Sequence, residues 1–160
     1  MDRFSIRPGQ FGDEALIRQL LLELAEYEKL VEKFHITEEV IRRDYLGSRP
    51  LLNCDLAFEG NTVVGVATWY WNYRSFAASR AIYLEDLFVR PTFRGKGYGK
   101  ALLRHLAHAA VSAGALGVEW SVLDWNKPSI EFYDSLGAKP VTGWQVYRLE
   151  GEALDRLGER

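Results

Sequence analysis

The run Val89-Arg90-Pro91-Thr92-Phe93-Arg94-Gly95-Lys96-Gly97-Tyr98-Gly99-Lys100 concentrates more chemistry than any other segment of the chain. Gly95, Gly97 and Gly99, at alternate positions, let the backbone turn tightly and come close to a ligand. Where such a turn opens a helix, free N–H groups and the positive end of the helix dipole face outward together and form an anion site. Arg94, Lys96 and Lys100 add positive charge, so the natural guest is a diphosphate. A Walker A loop requires a glycine five residues before its Gly-Lys pair and Ser or Thr after it; here those places hold Arg94 and Ala101. A dinucleotide fingerprint has the spacing G-x-G-x-x-G, whereas this loop has G-x-G-x-G. A turn that merely uses glycines explains less, because turn geometry alone does not call for three cations beside them.

The elements around the loop follow from periodicity. Phe4 to Pro8 reads as a short strand. Leu16, Ile17, Leu20, Leu21, Leu24 and Tyr27 fall at helical spacing within Asp13 to Leu30, with Asp13 as N-cap. A second helix is expected from Thr37 to Leu46, stopped by Gly47 and Pro50. Cys54 to Phe58 and Thr62 to Tyr73 read as a hairpin about Glu59-Gly60-Asn61. Then come a strand from Ala81 to Val89, the loop, a helix from Tyr98 to Ala113 and a strand from Gly117 to Leu123. Asn126 to Leu136 reads as a helix with Pro128 in its first turn. Two short strands, Lys139 to Val141 and Gly143 to Leu149, and a terminal helix from Gly151 to Leu157 complete the pattern. The order predicts an α/β (α+β) fold: a central, mostly antiparallel mixed sheet with one parallel strand–helix–strand crossover and helices on both faces.

Arg94-x-x-Gly97-x-Gly99 resembles the pyrophosphate-binding motif of the GNAT superfamily of acetyltransferases. The resemblance covers nearly the whole chain, so residues 1–160 read as a single domain. Tyr83-Leu84-Glu85-Asp86-Leu87-Phe88-Val89 and Trp125-Asn126-x-Pro128-Ser129-x-x-Phe132-Tyr133-x-x-x-Gly137-Ala138 are typical of that superfamily. Leu24-Ala25-Glu26-Tyr27-Glu28-Lys29-Leu30 and Tyr83-Leu84-Glu85-Asp86 are similar to the diamine (spermidine/spermine) and thialysine branch. Leu123-Asp124-Trp125-Asn126 and Gly151-Glu152-Ala153 lean toward its thialysine side. The polyamine members share an acidic stretch before a Gly-Trp pair, whereas Gly143-Trp144 follows Pro140, Val141 and Thr142. That departure counts against long polyamines and leaves shorter amines, such as lysine analogues or diamines, open.

The implied reaction is acetyl transfer from acetyl-CoA to a primary amine of a small cationic acceptor, by direct attack. It requires a neutral amine, a held oxyanion and a proton for the leaving thiolate. Strand alternation places Glu85 on a face with Tyr83, Leu87 and Val89, and Asp86 on the other with Leu84 and Phe88. Carboxylates in such a strand are costly to bury unless paired or used. Glu85 reads as a base for the incoming ammonium or as half of a structural ion pair, and the resemblance favours the base. Asp86 is a candidate for substrate contact. Tyr133, with an unperturbed pKa of about 10, keeps its proton at neutral pH. The resemblance makes it the general acid; the alternative is an amphipathic tyrosine spaced with Ile130. The resemblance further implies that the backbone of Leu87, Phe88 and Val89 pairs with the pantetheine arm and holds the thioester oxygen. It places Asn126 and Ser129 along the same arm, although helix capping also accounts for Asn126. Tyr27 and Glu28 are implied at the amine site, where an aromatic ring and a carboxylate suit an ammonium; a solvated helix end is the alternative.

Composition narrows the rest. The net charge of -2 lacks the basic footprint of a nucleic-acid binder. The only cysteine, Cys54, allows no intrachain disulfide, and a reducing, cytoplasmic setting is expected. Met1-Asp2-Arg3 begins no apolar leader, and no run approaches a membrane span. His105 and His108 have the spacing of paired metal ligands but no third ligand is evident, so no metal is expected and a solvated helix face is the reading. A non-catalytic acyl-CoA sensor and a protein or peptide acetyltransferase are the rival functions. The resemblance implies a homodimer joined through the terminal strands or the aromatic hairpin.

Overall fold

Strand-forming runs rich in valine and aromatic residues alternate with two apolar-striped helices, and the chain folds accordingly. The computed structural model describes residues 3–159; Met1 and Asp2, on which part of the expectation for the chain start rests, lie outside the described residues, as does Arg160. The chain forms two compact units, Met1–Ser121 and Val122–Arg160.

The first unit contains β1 (Phe4–Pro8), α1 (Glu14–Tyr27), α2 (Glu38–Asp44), β2 (Asn53–Glu59), β3 (Thr62–Arg74), β4 (Ser79–Val89), α3 (Tyr98–Ser112) and β5 (Val118–Trp120). The strands lie in the order β1-β2-β3-β4-β5, antiparallel as far as β4 and parallel between β4 and β5. Ile17, Leu20, Leu21 and Leu24 of α1 and Ile41 of α2 pack on Cys54 and Leu56 of β2, Val66 of β3 and Phe88 of β4. On α3, Leu102, Leu103, Leu106 and Ala110 are buried. The mixed sheet and its parallel β4–α3–β5 crossover match the pattern read from the sequence.

Several details differ. Asp13 precedes α1 but does not cap it with its side chain. Its carboxylate accepts from Arg7 Nη1 at 2.7 Å and Nη2 at 3.1 Å, and from the Gln10 N–H at 2.9 Å. A bidentate guanidinium from β1 binds more strongly than one orphan amide, and it holds the Asp13 carboxyl below the usual carboxylate range. Thr37 does cap α2, its hydroxyl accepting from the Val40 N–H at 3.1 Å.

The expected alternation of β4 also breaks. Thr68 pairs with Asp86, but its neighbour Trp69 pairs with Leu84, so Glu85 is the extra residue of a β-bulge. Successive residues of β3 face opposite sides, so Leu84 and Asp86 also face opposite sides. Asp86 therefore shares a face with Phe88 but not with Leu84.

The second unit contains α4 (Lys127–Ser135) and α5 (Gly151–Gly158). Among the described residues the expected strands at 139–141 and 143–149 do not form. A strand exists through its pairing, and this stretch has none among the described residues. Trp144, Val146 and Tyr147 are instead 81%, 89% and 87% exposed.

Candidate active site

Gly95 and Gly97 make the tight turn expected of the loop, whereas Gly99 lies within the first turn of α3. Gly95 has φ +80° and Gly97 φ +82°, backbone angles that penalise other residues, and Gly97 is the N-cap of α3. A Cβ at either glycine would meet nothing within 4 Å, so the two glycines border open space rather than packed atoms. The residues present thus fit a diphosphate at the start of α3, a helix of 15 residues.

The cations of the loop divide their work. Arg94 donates from Nε to the Val89 carbonyl at 2.9 Å and lies over the rings of Tyr27 and Phe88, at 5.1 and 5.6 Å. It ties the end of β4 to the end of α1. Lys96 bonds both oxygens of Glu59, at 3.2 and 3.0 Å. Lys100 is exposed on the first turn of α3 and has no ion pair among the described residues. Of the three, Lys100 carries the charge least committed within the protein.

β4 delivers the acidic residues and the backbone. Its pairing with β5 runs Ile82↔Val118, Tyr83↔Glu119 and Leu84↔Trp120 and stops there. From Glu85 to Val89, β4 keeps β3 on one side, and no strand of the described residues pairs with its other edge. Leu87, Phe88 and Val89 lie in this half-paired stretch, which runs directly into the loop.

Glu85, on the bulge, is exposed and ion-pairs with no Lys or Arg among the described residues. The ion-pair reading of Glu85 therefore has no support. Asp86 is withdrawn from water, and burial pushes its carboxyl up to about 6. The Thr68 hydroxyl, donating to Oδ2 at 2.5 Å, opposes that rise, whereas the charges of Glu85 and Glu28 add to it. Glu28, at the C-cap of α1, is itself raised by burial. Glu28, Glu85 and Asp86 thus form one field of negative charge, with Tyr27 one residue before Glu28. Sequence reading missed Thr68; a buried threonine in the run Val66-Ala67-Thr68 beside a strand carrying a carboxylate is the signal that marks it.

A raised acid value means that folded Asp86 holds its proton more tightly than the unfolded chain does. Its ionised form weighs against folding above about pH 6, and the burden vanishes as the pH falls through the ordinary value of 3.8. Asp86→Asn is therefore expected to stabilise the fold at pH 8 by up to roughly 3 kcal/mol. Thermal unfolding across that window checks it, and a gain that does not shrink toward low pH contradicts it.

In the second unit, Tyr133 lies on α4 with its ring 5.5 Å from that of Phe132. Asn126 is buried and precedes the helix, making no side-chain cap, so the capping alternative for Asn126 fails. Ser129 lies in the first turn of α4. His105 is not merely solvated: its Nε2 lies 3.3 Å from buried Asp55 Oδ2, which also accepts from Trp69 Nε1 at 2.8 Å. No cluster of metal-binding side chains occurs among the described residues. Burial pushes the Cys54 thiol far up, which leaves it inert as a nucleophile.

A strand with a half-open edge leads into a glycine turn and a helix N-terminus, a backbone arrangement suited to a ligand carrying amides and a diphosphate. The chain matches the acetyltransferase (GNAT) family over residues 16–138. It belongs to that family and is an N-acetyltransferase; GNAT acetyltransferases use acetyl-CoA as cosubstrate. It is 39% identical to the thialysine N-epsilon-acetyltransferase of Bos taurus, over 95% of each chain. It is 32% identical to the human spermidine/spermine N(1)-acetyltransferase-like protein 1, over 96% of this chain and 24% of that protein. Among solved structures, an integron cassette protein from the mobile metagenome of V. cholerae superposes with TM-score 0.81 at 25% identity, over 98% of both chains. An aminoglycoside acetyltransferase from a soil metagenome, in complex with sisomicin, has TM-score 0.74 at 19% identity, over 92% of this chain and 97% of that one, and shares the fold.

Proposed function

We propose that this chain transfers acetyl from acetyl-CoA to the primary amine of a small cationic acceptor, a thialysine- or lysine-like amine or a diamine, in a ternary complex. The half-open edge of β4 from Glu85 to Val89 carries the reading. A pantetheine arm is a string of amides, and such a string adds to an open strand edge by main-chain hydrogen bonds. The same edge leads into Gly95, Gly97 and Gly99, where the diphosphate is bound with help from Arg94, Lys100 and the first turn beginning at Tyr98. The negative field of Glu28, Glu85 and Asp86 supports a cationic acceptor, as do the activities named for the bovine and human relatives.

In the proposed reaction, Glu85 takes a proton from the bound ammonium, directly or through water, and the freed nitrogen attacks the thioester carbon. A backbone N–H among Leu87, Phe88 and Val89 holds the carbonyl oxygen as it becomes negative. The carbon–sulfur bond then breaks, the Tyr133 hydroxyl gives its proton to the leaving thiolate, and the surplus proton shed by the new amide nitrogen passes through solvent and restores the phenol. Asn126 and Ser129 hold the pantetheine arm, and Tyr27 and Asp86 hold the amine. The inert thiol of Cys54 supports direct transfer over an acyl-enzyme.

The two units act together as one catalytic domain, a reading supported by a family match that runs across their boundary. The chain works as a cytoplasmic homodimer: the exposed side chains of Val141, Trp144, Val146 and Tyr147 suit burial against a second copy.

Thiol release from acetyl-CoA, measured with lysine, thialysine, putrescine, spermidine and a lysine peptide in turn, tests the reading. Release driven by a short amine and not by the peptide is expected. Donor binding without release for any acceptor would move the sensor function ahead.

A further inference from the structure

Glu59 stands at the end of β2, opposite Phe4 in the β1–β2 register. Both residues reach the start of α3. The Tyr98 ring stacks on Phe4, with centroids 4.4 Å apart and planes 11° from parallel, and the Tyr98 hydroxyl donates to Glu59 Oε2. Lys96 Nζ reaches both Glu59 oxygens. The two hydrogen-bonding partners of Glu59 therefore flank Gly97, the left-handed residue on which α3 begins. Both partners hold the Glu59 carboxyl below its ordinary value, the tyrosine contributing more. Two residues separate β2 from β3 at this point, at Gly60 and Asn61, so the carboxylate sits on a tight hairpin rather than on a loose loop.

We propose that Glu59 is a positioning residue for the donor diphosphate: by holding Lys96 and Tyr98 from the sheet, it fixes the glycine turn in its ligand-ready shape. The proposal rests on the diphosphate-binding reading of the loop. Left-handed glycines give a turn its shape but also its freedom, and a turn with Gly95 and Gly97 loses much conformational entropy when it closes on a ligand. Two hydrogen-bonded arms on either side of Gly97 remove that freedom before the donor arrives, which is how preorganisation raises affinity. It also assigns Lys96 a different task from Arg94 and Lys100. Its ammonium is spent on the protein, so the loop's attraction for phosphate comes from the other two cations and from backbone N–H groups.

Calorimetric titration of the full chain with CoA, for wild type and Glu59→Ala, tests this, with thermal unfolding run alongside. The dissociation constant is expected to rise about tenfold in Glu59→Ala, equivalent to about 1.4 kcal/mol. In turnover, the KM for acetyl-CoA should rise well beyond that for the amine, a split that a general loss of stability would not produce. Glu59→Gln, which keeps an acceptor for both partners, should recover part of the affinity. Should Glu59→Ala fail to fold, Lys96→Met combined with Tyr98→Phe removes both arms and must show the same weakening. Unchanged or tighter CoA binding overturns the proposal, since tighter binding would make Glu59 a competitor that holds Lys96 away from phosphate. If wild type itself fails to bind CoA, the diphosphate reading of the loop falls, and with it the ground for this inference.

Discussion

Tyr133→Phe is expected to lower kcat by about a hundredfold or more, the usual contribution of a positioned general acid. The substitution removes one oxygen and keeps the ring that lies beside Phe132 on α4, and Tm and the CoA dissociation constant measured alongside separate a loss of catalysis from a loss of folding or donor binding. The thiolate leaving acetyl-CoA is a poor leaving group without a proton, and its demand for one falls as the thiol becomes more acidic. An acetyl thioester of a more acidic thiol should therefore narrow the gap between wild type and variant. Steady-state rates with the two donors decide the matter. Equal rates for wild type and Tyr133→Phe with acetyl-CoA would remove Tyr133 from the reaction, and a gap unaffected by the donor's thiol would assign it another role.

Gly65→Ala should give the largest loss of stability of any single methyl added to the sheet. Gly65 pairs with Val89 across β3 and β4, and a Cβ built there lies 2.7 Å from the Phe88 carbonyl oxygen. That oxygen belongs to backbone and cannot rotate away as a side chain would. Val89 Cγ2 at 3.3 Å and Leu102 Cδ1 at 3.4 Å close the remaining space. Overpacking of this kind costs about 1–3 kcal/mol, and the fixed obstacle puts Gly65 at the upper end. For a chain of this size each kcal/mol lowers Tm by about 2–4 °C. The strand that must yield is the one carrying Phe88 and Val89, so donor affinity should fall together with Tm. A variant that unfolds at the wild-type temperature would mean that the two strands part freely at this point.

How much of this was legible in the sequence depended on where each signal lies. The glycine loop was readable because left-handed backbone at Gly95 and Gly97 demands a residue type, so geometry is written directly into composition. The helices and the hairpin were readable because the buried stripe of α1 and the turn at Gly60 are local patterns. The bulge at Glu85 was not. One added residue leaves no mark in a strand's own sequence, and only the register with β3 reveals that Asp86 and Leu84 point apart. Asp13 was placed correctly at a helix start but its partner was not, since Arg7 comes from another element. Lys96 was read as a phosphate ligand from its position in the loop. That Glu59 holds it is a tertiary fact, hinted at only by Asp55 and Glu59 recurring on one face of β2 and meeting His105 and Tyr98 of α3. The terminal stretch 139–149 has the composition of strands, but composition cannot supply a partner.

The half-open edge of β4 also bears on solubility. An unpaired strand edge is a template for any other extended chain, and proteins that leave one uncovered blunt it. Here the opening is short, from Glu85 to Val89, with a charged residue and a bulge at one end and Arg90-Pro91 at the other. Proline has no N–H to extend a ladder, and a bulge twists the edge out of line with a flat intruder. The bulge and the proline that bound this edge thus also make it a poor seed for aggregation, and a donor held there as proposed would cover what remains.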